Sequence, residues 1–497
     1  MASKYLAICA LAALMVLSPA GAVPSDAAKG KQSPQTGLAR NLPEDRTSQH
    51  SVGQGADRLG YSATAGTLPL TDKKGDIAAK VFYVAYSTGE AGRPISFVFN
   101  GGPGAAAAFL HLGALGPKVL NFTANGAAPV QPMALSENPD HWLGFTDLVF
   151  VDPVGTGFSR ATGEGPEAEK PYYGVNQDAE AMADFVRLYL ARSGRELAPV
   201  YLVGESYGGF RAALLARRLL EGGIGVKGAI LISPALEFSM IREDEYALVP
   251  LALQLPSIAA SHWEATAGYD VPLDQVVEAE TFAVSDYLLH LVSGLRVDEA
   301  INAKLARLTG LDPELIKRHH GRVSRWFFRR AYARREHRAL SIYDGSISAP
   351  LPQPADNADF DPILDGAAAA LTPLMVRYAR DELGFKTDLP YKLLNRDVGR
   401  AWEYGSNRQG YAGSLDDLQK ARTLNPGLKV FIAHGYTDLA TPYAVSRFLI
   451  GQLAPIASAR TVEMRVYRGG HMMYMRPASR RALTADVRAV YGQPASQ

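Results

Sequence analysis

The chain has 497 residues, 47% hydrophobic and 20% charged, the composition of an ordinary globular protein. Its 51 basic and 50 acidic side chains nearly cancel, so nothing in the charge points to nucleic acid or a membrane surface as partner. The length allows one large domain with an insertion, or two to three domains.

Residues 1–22 read as a secretory signal. Lys4 is the positive end, residues 5–17 are the apolar stretch, and Ala20-Gly21-Ala22 is a small-residue cleavage site. The apolar stretch is short for a membrane span, and a retained anchor is the alternative. Cys9, the single cysteine, lies inside this segment. The mature chain is therefore expected to lack disulfides and thiol chemistry, and to be secreted or periplasmic without stable membrane insertion. Residues 23–60 are polar and rich in Gly, Ser, Pro and charge, which reads as a flexible arm.

Strands are expected at 77–87, 95–100 and 147–152, the second running into Gly101-Gly102-Pro103-Gly104. Residues 178–192 are expected to be helical, with Met182, Phe185, Val186 and Tyr189 on one face. Val200 to Val203 read as a buried strand, then comes Gly204-Glu205-Ser206-Tyr207-Gly208, then a helix over 210–220. Another strand is expected at 228–233. Alternating strands and helices imply a mostly parallel sheet with helices on both faces. Residues 237–396 change to amphipathic helical patterns such as 273–295 and 297–309, with no convincing strand, and read as an inserted helical cap. The sheet resumes with strands at 428–434 and 462–467 and helices at 442–453 and 476–491. The expected organisation is a signal at 1–22, an arm at 23–60, a core at 61–236, a cap at 237–396 and a second core part at 397–497.

A strand, a sharp Gly-x-Ser-x-Gly turn and a helix place a serine hydroxyl clear of the sheet, which makes Ser206 the candidate nucleophile. A serine needs a base within reach, and the base needs an acid to orient it. His434 and His471 are the histidines beyond the cap. His471 follows a strand through Arg468-Gly469-Gly470 and is the candidate base, while His434 ends its own strand and reads as structural. Asp438, in the loop after the 428–434 strand, occupies the slot for the acid. Asp416 and Asp417 precede that strand and fit less well, and an N-cap role for Asp438 is the alternative. The glycine-rich turn after residue 100 can bring backbone N–H groups to a developing oxyanion, with the Gly102 and Tyr207 amides as the pair. A phosphate cradle is disfavoured because no Gly-Lys-Ser/Thr follows. A dinucleotide site is disfavoured because no Gly-x-Gly-x-x-Gly opens a helix. No residue set calls for a metal or other cofactor.

Asn100-Gly-Gly-Pro-Gly104, Asp152-Pro-Val-Gly-Thr-Gly-Phe-Ser159, Gly204-Glu-Ser-Tyr-Gly-Gly209, the Asp438 segment and Gly469-Gly-His-Met472 together resemble the serine carboxypeptidases, in the form of a bacterial-type member without disulfides. The resemblance implies an α/β-hydrolase fold and release of single residues from peptide C-termini, favoured at acid pH. It implies that Asn100 and Glu205 hold the substrate's terminal carboxylate, that Tyr207 lines the pocket on the amino side of the scissile bond, and that Met472 lines the leaving-residue pocket. Val98, Ala105 and Ala114 depart from the family pattern. The first stands where a tryptophan is common and the second where a cysteine or serine is common. Ala114 stands where a glutamate partners the one beside the serine. The expected partner is a peptide with a free C-terminus. An esterase or acyltransferase using the same triad is the alternative, and a non-catalytic binding protein of this fold the remoter one.

Overall fold

The computed structural model describes residues 37–492, apart from 56–57, 130–132, 243, 269–271, 352–359 and 406–410. The expected signal and the first part of the expected arm lie outside the described residues. A ten-stranded sheet runs in the order Arg46–Val52, Leu59–Thr71, Ile77–Ser87, Asp147–Val151, Ile95–Phe99, Val200–Glu205, Val226–Ile232, Lys429–Gly435 and Glu463–Tyr467, with Arg160–Ala161 paired to one side of Ile77–Ser87. From Asp147–Val151 to the last strand the pairings are parallel, and at the other end they are antiparallel.

The central strands are apolar on both faces because both faces are covered. Phe97 and Phe99 join Leu202, Leu231 and Ile432 in one apolar cluster, with helices Val175–Ser193, Tyr207–Glu221 and Tyr443–Gly451. Val98 points the other way, with Val203, Ile232 and Ala433, toward helices Leu364–Asp381 and Pro477–Val490. This is the two-residue alternation of a pleated strand. Each fully buried Val, Leu or Phe contributes roughly 1.5–3 kcal/mol relative to exposure.

Two expectations need correction. Arg46–Val52 falls in the expected flexible arm, yet it is a strand with seven register pairs to Leu59–Thr71. It is an edge strand, so only Val52 is buried, and its polar sequence reads as disordered. The expected cap also differs. Helices Leu248–Ala267, Leu273–Ala283, Asp286–Val292, Glu299–Thr309, Pro313–Arg318 and Arg325–Glu336 share an apolar cluster of their own, which ends at Leu340 and takes in Leu439. A short hairpin, Arg338–Leu340 with Ser348–Pro350, follows where no strand is expected. Helix Leu364–Asp381 packs on the sheet through Leu371, Met375 and Tyr378, so the stretch up to 396 includes part of the sheet's own cover. The expected 273–295 helix is two helices, broken near Val284 and Ser285. Among the described residues no helix is long and apolar enough to cross a membrane.

Candidate active site

The chain leaves Ile95–Phe99 for a neighbour on one side, then returns to Val200–Glu205 on the other. Such a reversal opens a crevice beyond the carboxyl ends of the two strands, where open α/β sheets bind ligands. Asn100-Gly101-Gly102 and Glu205-Ser206 stand at that point. Ser206 has φ 59° and ψ −122°, a left-handed strained conformation for a residue with a Cβ. Its carbonyl accepts from the amides of Gly209, Phe210 and Ala235, and its own N–H donates to Ile232, so the strain is held from several sides. A Cβ at Gly204 would strike the Gly208 carbonyl, and one at Gly208 would strike that of Phe99. Those contacts explain the glycines of the motif. Ser206 is half-buried, while Glu205 and Tyr207 on either side are buried.

His471 Nδ1 lies 2.8 Å from Asp438 Oδ2. The other carboxylate oxygen, Oδ1, accepts from the amides of Ala440 at 2.8 Å and Thr441 at 2.9 Å. Asp438 therefore both shapes its turn and faces the histidine, and the N-cap position of the following helix is Pro442, not Asp438. Thr441 Oγ1 donates to Asp438 Oδ2 at 2.8 Å. Burial opposes a proton on His471, but the Asp438 carboxylate, its hydrogen bond and Glu205 outweigh it and raise the pKa. His434 is bonded to Ser446 at 2.8 Å and pushed down to about 4 by burial, a structural histidine. Asp417, in helix Leu415–Leu424, pairs with Arg217 of helix Tyr207–Glu221 at 2.8 Å. Gly102 is exposed at φ 98°, in the turn above Ser206, and Tyr207 is the first residue of the following helix. The amide of a first helical residue has no intrahelical acceptor.

Glu205 and Asn100 are both buried, and Asn100 Nδ2 donates to Glu205 Oε2. Asn100 Oδ1 accepts from the Leu110 amide at 3.0 Å, which fixes which end of the amide faces the acid. Glu205 Oε1 lies 3.9 Å from His471 Nε2. Burial pushes the Glu205 carboxyl up to about 7, against His471, Tyr474 and Asn100, which pull it down. Met472 is buried in the apolar cluster behind His471. Tyr207 packs its ring against Phe210 and, edge-on, Trp402. A cavity of about 600 Å³ lies in the cap between residues such as His262, Thr309, Phe328 and Tyr332, and none of the triad lines it.

Residues 60–236 match the sequence model of the serine carboxypeptidases. This part of the chain is similar to the serine carboxypeptidase family. It carries Asn100, the glycine turn and the Ser206 elbow. The base and acid candidates, His471 and Asp438, lie beyond the matched residues. No curated protein sequence matches the chain. Among solved structures, Kex1(delta)p, a prohormone-processing carboxypeptidase from Saccharomyces cerevisiae, is similar at 15% identity over 87% of this chain and 91% of its own, with TM-score 0.55. Homoserine O-acetyltransferase from Staphylococcus aureus is similar at 13% identity over 86% and 94%, with TM-score 0.36. The peroxisomal α/β-hydrolase Lpx1 of Saccharomyces cerevisiae matches at 12% identity over 92% of both chains, with TM-score 0.36. The fold is the α/β-hydrolase fold.

At the Ala114 departure from the family pattern, Ala114 is buried in the π-helical turn His111–Leu115 and its carbonyl accepts from Asn138. No second carboxylate stands there. Tyr474 is the residue that sequence reasoning missed. It is fully buried, and its hydroxyl is turned toward Glu205 and Asn100. It lies three residues after His471, a proximity that alone gives no role. The arginine-rich stretch 322–338 reads in sequence as a solvated helix face of the cap, with an anionic partner as the alternative. Arg325 instead is buried and donates to the carbonyls of Leu439 and Ala440, beside Asp438.

Proposed function

We propose that the protein is an exported serine carboxypeptidase that releases C-terminal amino acids through an acyl-enzyme on Ser206. The observation that carries this reading is a buried acid, Glu205, beside the nucleophile, held by Asn100 and sharing an enclosure with His471. Ester hydrolysis has no use for a proton-bearing carboxyl there, whereas a terminal carboxylate can accept a hydrogen bond from it.

Asp438 holds the proton on Nδ1 of His471, leaving Nε2 to take the Ser206 proton as Oγ attacks the last peptide carbonyl. The amides of Gly102 and Tyr207 receive the negative oxygen. His471 then gives its proton to the leaving amine, the C–N bond breaks, and Ser206 keeps the acyl group. Water, deprotonated by His471, attacks next and releases the shortened peptide.

Glu205 sets the pH dependence of binding on this reading. Below about 7 its carboxyl is protonated and donates to the substrate. Above that it is ionised and repels, so KM should rise about tenfold per pH unit. An N-blocked dipeptide with a free C-terminus should be hydrolysed on the order of 10² faster than its C-terminal amide. Glu205→Gln keeps a donor without the charge and should make KM nearly independent of pH, with kcat little changed. Equal turnover of acid and amide, with simple esters preferred, would favour the esterase reading instead. Export is checked separately, by N-terminal sequencing of protein recovered from outside the cytoplasm, with cleavage expected after Ala22.

A further inference from the structure

We infer that residues 341–346 of the cap position the catalytic acid and base, with Asp344 as the residue that ties the two loops together. This rests on the Ser206–His471–Asp438 triad. The acid and base stand on loops after two adjacent parallel strands, Lys429–Gly435 and Glu463–Tyr467. Loops are the more mobile parts of a fold, and a reacting pair misplaced by 1 Å can lose about 100-fold in rate. Something must hold these loops in register beyond the strand ends.

The cap segment makes that contact on both loops. On the acid side, the Leu439 amide donates to the Ile342 carbonyl at 3.1 Å, and the Gly345 amide donates to the Thr437 carbonyl at 2.8 Å. On the base side, the His471 amide donates to the Tyr343 carbonyl at 2.5 Å. The Tyr343 ring meets the imidazole edge-on, with centroids 5.3 Å apart. Gly470 passes so close to the Tyr343 carbonyl that a Cβ would collide with it. Asp344 joins the two sides with one carboxylate. Its Oδ1 accepts from Thr437 Oγ1 at 2.7 Å, one residue before Asp438. Its Oδ2 accepts from Arg476 Nη2 at 2.6 Å, on the loop that carries His471.

The segment is itself anchored into the cap. Arg476 reaches Glu264 of helix Leu248–Ala267 at 2.6 Å. Asp361 accepts from Ser341 Oγ at 2.7 Å and from the Ile342 amide at 2.8 Å. Arg325 holds the Leu439 and Ala440 carbonyls at 2.8 and 2.7 Å from the opposite side. Asp344, Glu264 and Arg476 are all at most 5% exposed, so water screens these contacts little. None of these residues needs to touch substrate. They act through Asp438 and His471.

Asp344→Asn should lower kcat by about 10- to 100-fold while KM for the dipeptide stays within about twofold. The downfield proton resonance of the His471 Nδ1–H, expected as a sharp line in the wild-type NMR spectrum, should broaden or vanish in this variant. Thr437→Val removes a single hydroxyl and should show the same signature in weaker form, about three- to tenfold in kcat. It serves if Asp344→Asn does not fold. Asp140→Asn cuts a different buried pair, with Arg480, and should lower Tm while leaving kcat and the resonance unchanged. Wild-type kcat and a sharp resonance in both Asp344→Asn and Thr437→Val would overturn the inference. An equal loss in Asp140→Asn would also overturn it, because general loosening would then explain everything. Full activity in Ser206→Ala would instead sink the triad reading, a separate and recognisable outcome.

Discussion

Replacing Asp438 by asparagine should lower kcat by about 10⁴ with little change in folding. The carboxylate uses its two oxygens differently. Oδ1 accepts the Ala440 and Thr441 amides, and an asparagine carbonyl can accept both in the same place. The loop should therefore survive. Oδ2 accepts from His471 Nδ1. An asparagine NH2 in that position donates, so Nδ1 must become the acceptor and the proton moves to Nε2. The imidazole then presents a proton to Ser206 where it must take one. A fluorophosphonate should label Ser206 in the wild type, label the Asp438→Asn variant far more slowly, and fail to label Ser206→Ala. Thermal unfolding of the two variants should stay close to wild type. A loss of less than tenfold in Asp438→Asn would show that the acid is elsewhere.

Arg211→Met should destabilise the protein by roughly 3–5 kcal/mol, the usual cost of stranding one partner of a buried ion pair. Arg211 is 1% exposed, and it donates from Nε to Asp178 at 2.6 Å and from Nη2 at 3.2 Å. It ties the nucleophile helix to helix Val175–Ser193. Its third bond, from Nη1 to the Asn100 carbonyl at 2.9 Å, also holds the glycine turn. Burial already raises the Asp178 carboxyl, and Arg211 is what opposes it. Without the arginine the folded carboxyl keeps its proton to higher pH, whereas the unfolded one loses it near pH ~4. The folded state then binds more protons over that window, so stability falls as pH rises through it. Urea unfolding of the variant should show a larger deficit at about pH 8 than at about pH 5. The double variant Arg211→Met, Asp178→Asn should recover much of the loss at the higher pH. A single variant as stable as wild type there would refute this account.

The parts of the site that were legible in sequence are those fixed by local chain geometry. Ser206 announces itself because Gly204 and Gly208 are required by close contacts two residues to either side. Asp438 and His471 are readable because each follows a strand whose apolar pattern is plain. Arg46–Val52 is not readable, because an edge strand with one wet face can be almost wholly polar. The hairpin at 338–350 is too short to show a period. Asp344, Arg325 and Arg476 are illegible for a different reason. Their partners lie far along the chain, as Asp344 does from Thr437 and Arg476, and no spacing rule connects them. Ser341 and Tyr343 look like ordinary loop residues until the fold sets them against Asp438 and His471.

The order of strands along the chain also governs when the site can exist during synthesis. Asn100 and Ser206 belong to the first half of the polypeptide, and their strands pair directly. The strand before Asp438 must find its place beside Val226–Ile232 after the whole cap has been made. The strand before His471 then has only that newcomer to pair with. Contacts between such distant residues form late and slowly, because a long loop must close before they repay it. A nascent chain therefore carries its candidate nucleophile and glycine turn throughout the synthesis of the cap with no base to activate them. On the proposed reading, with His471 as the base, the enzyme stays inert until the strand that leads to His471 has been made and paired.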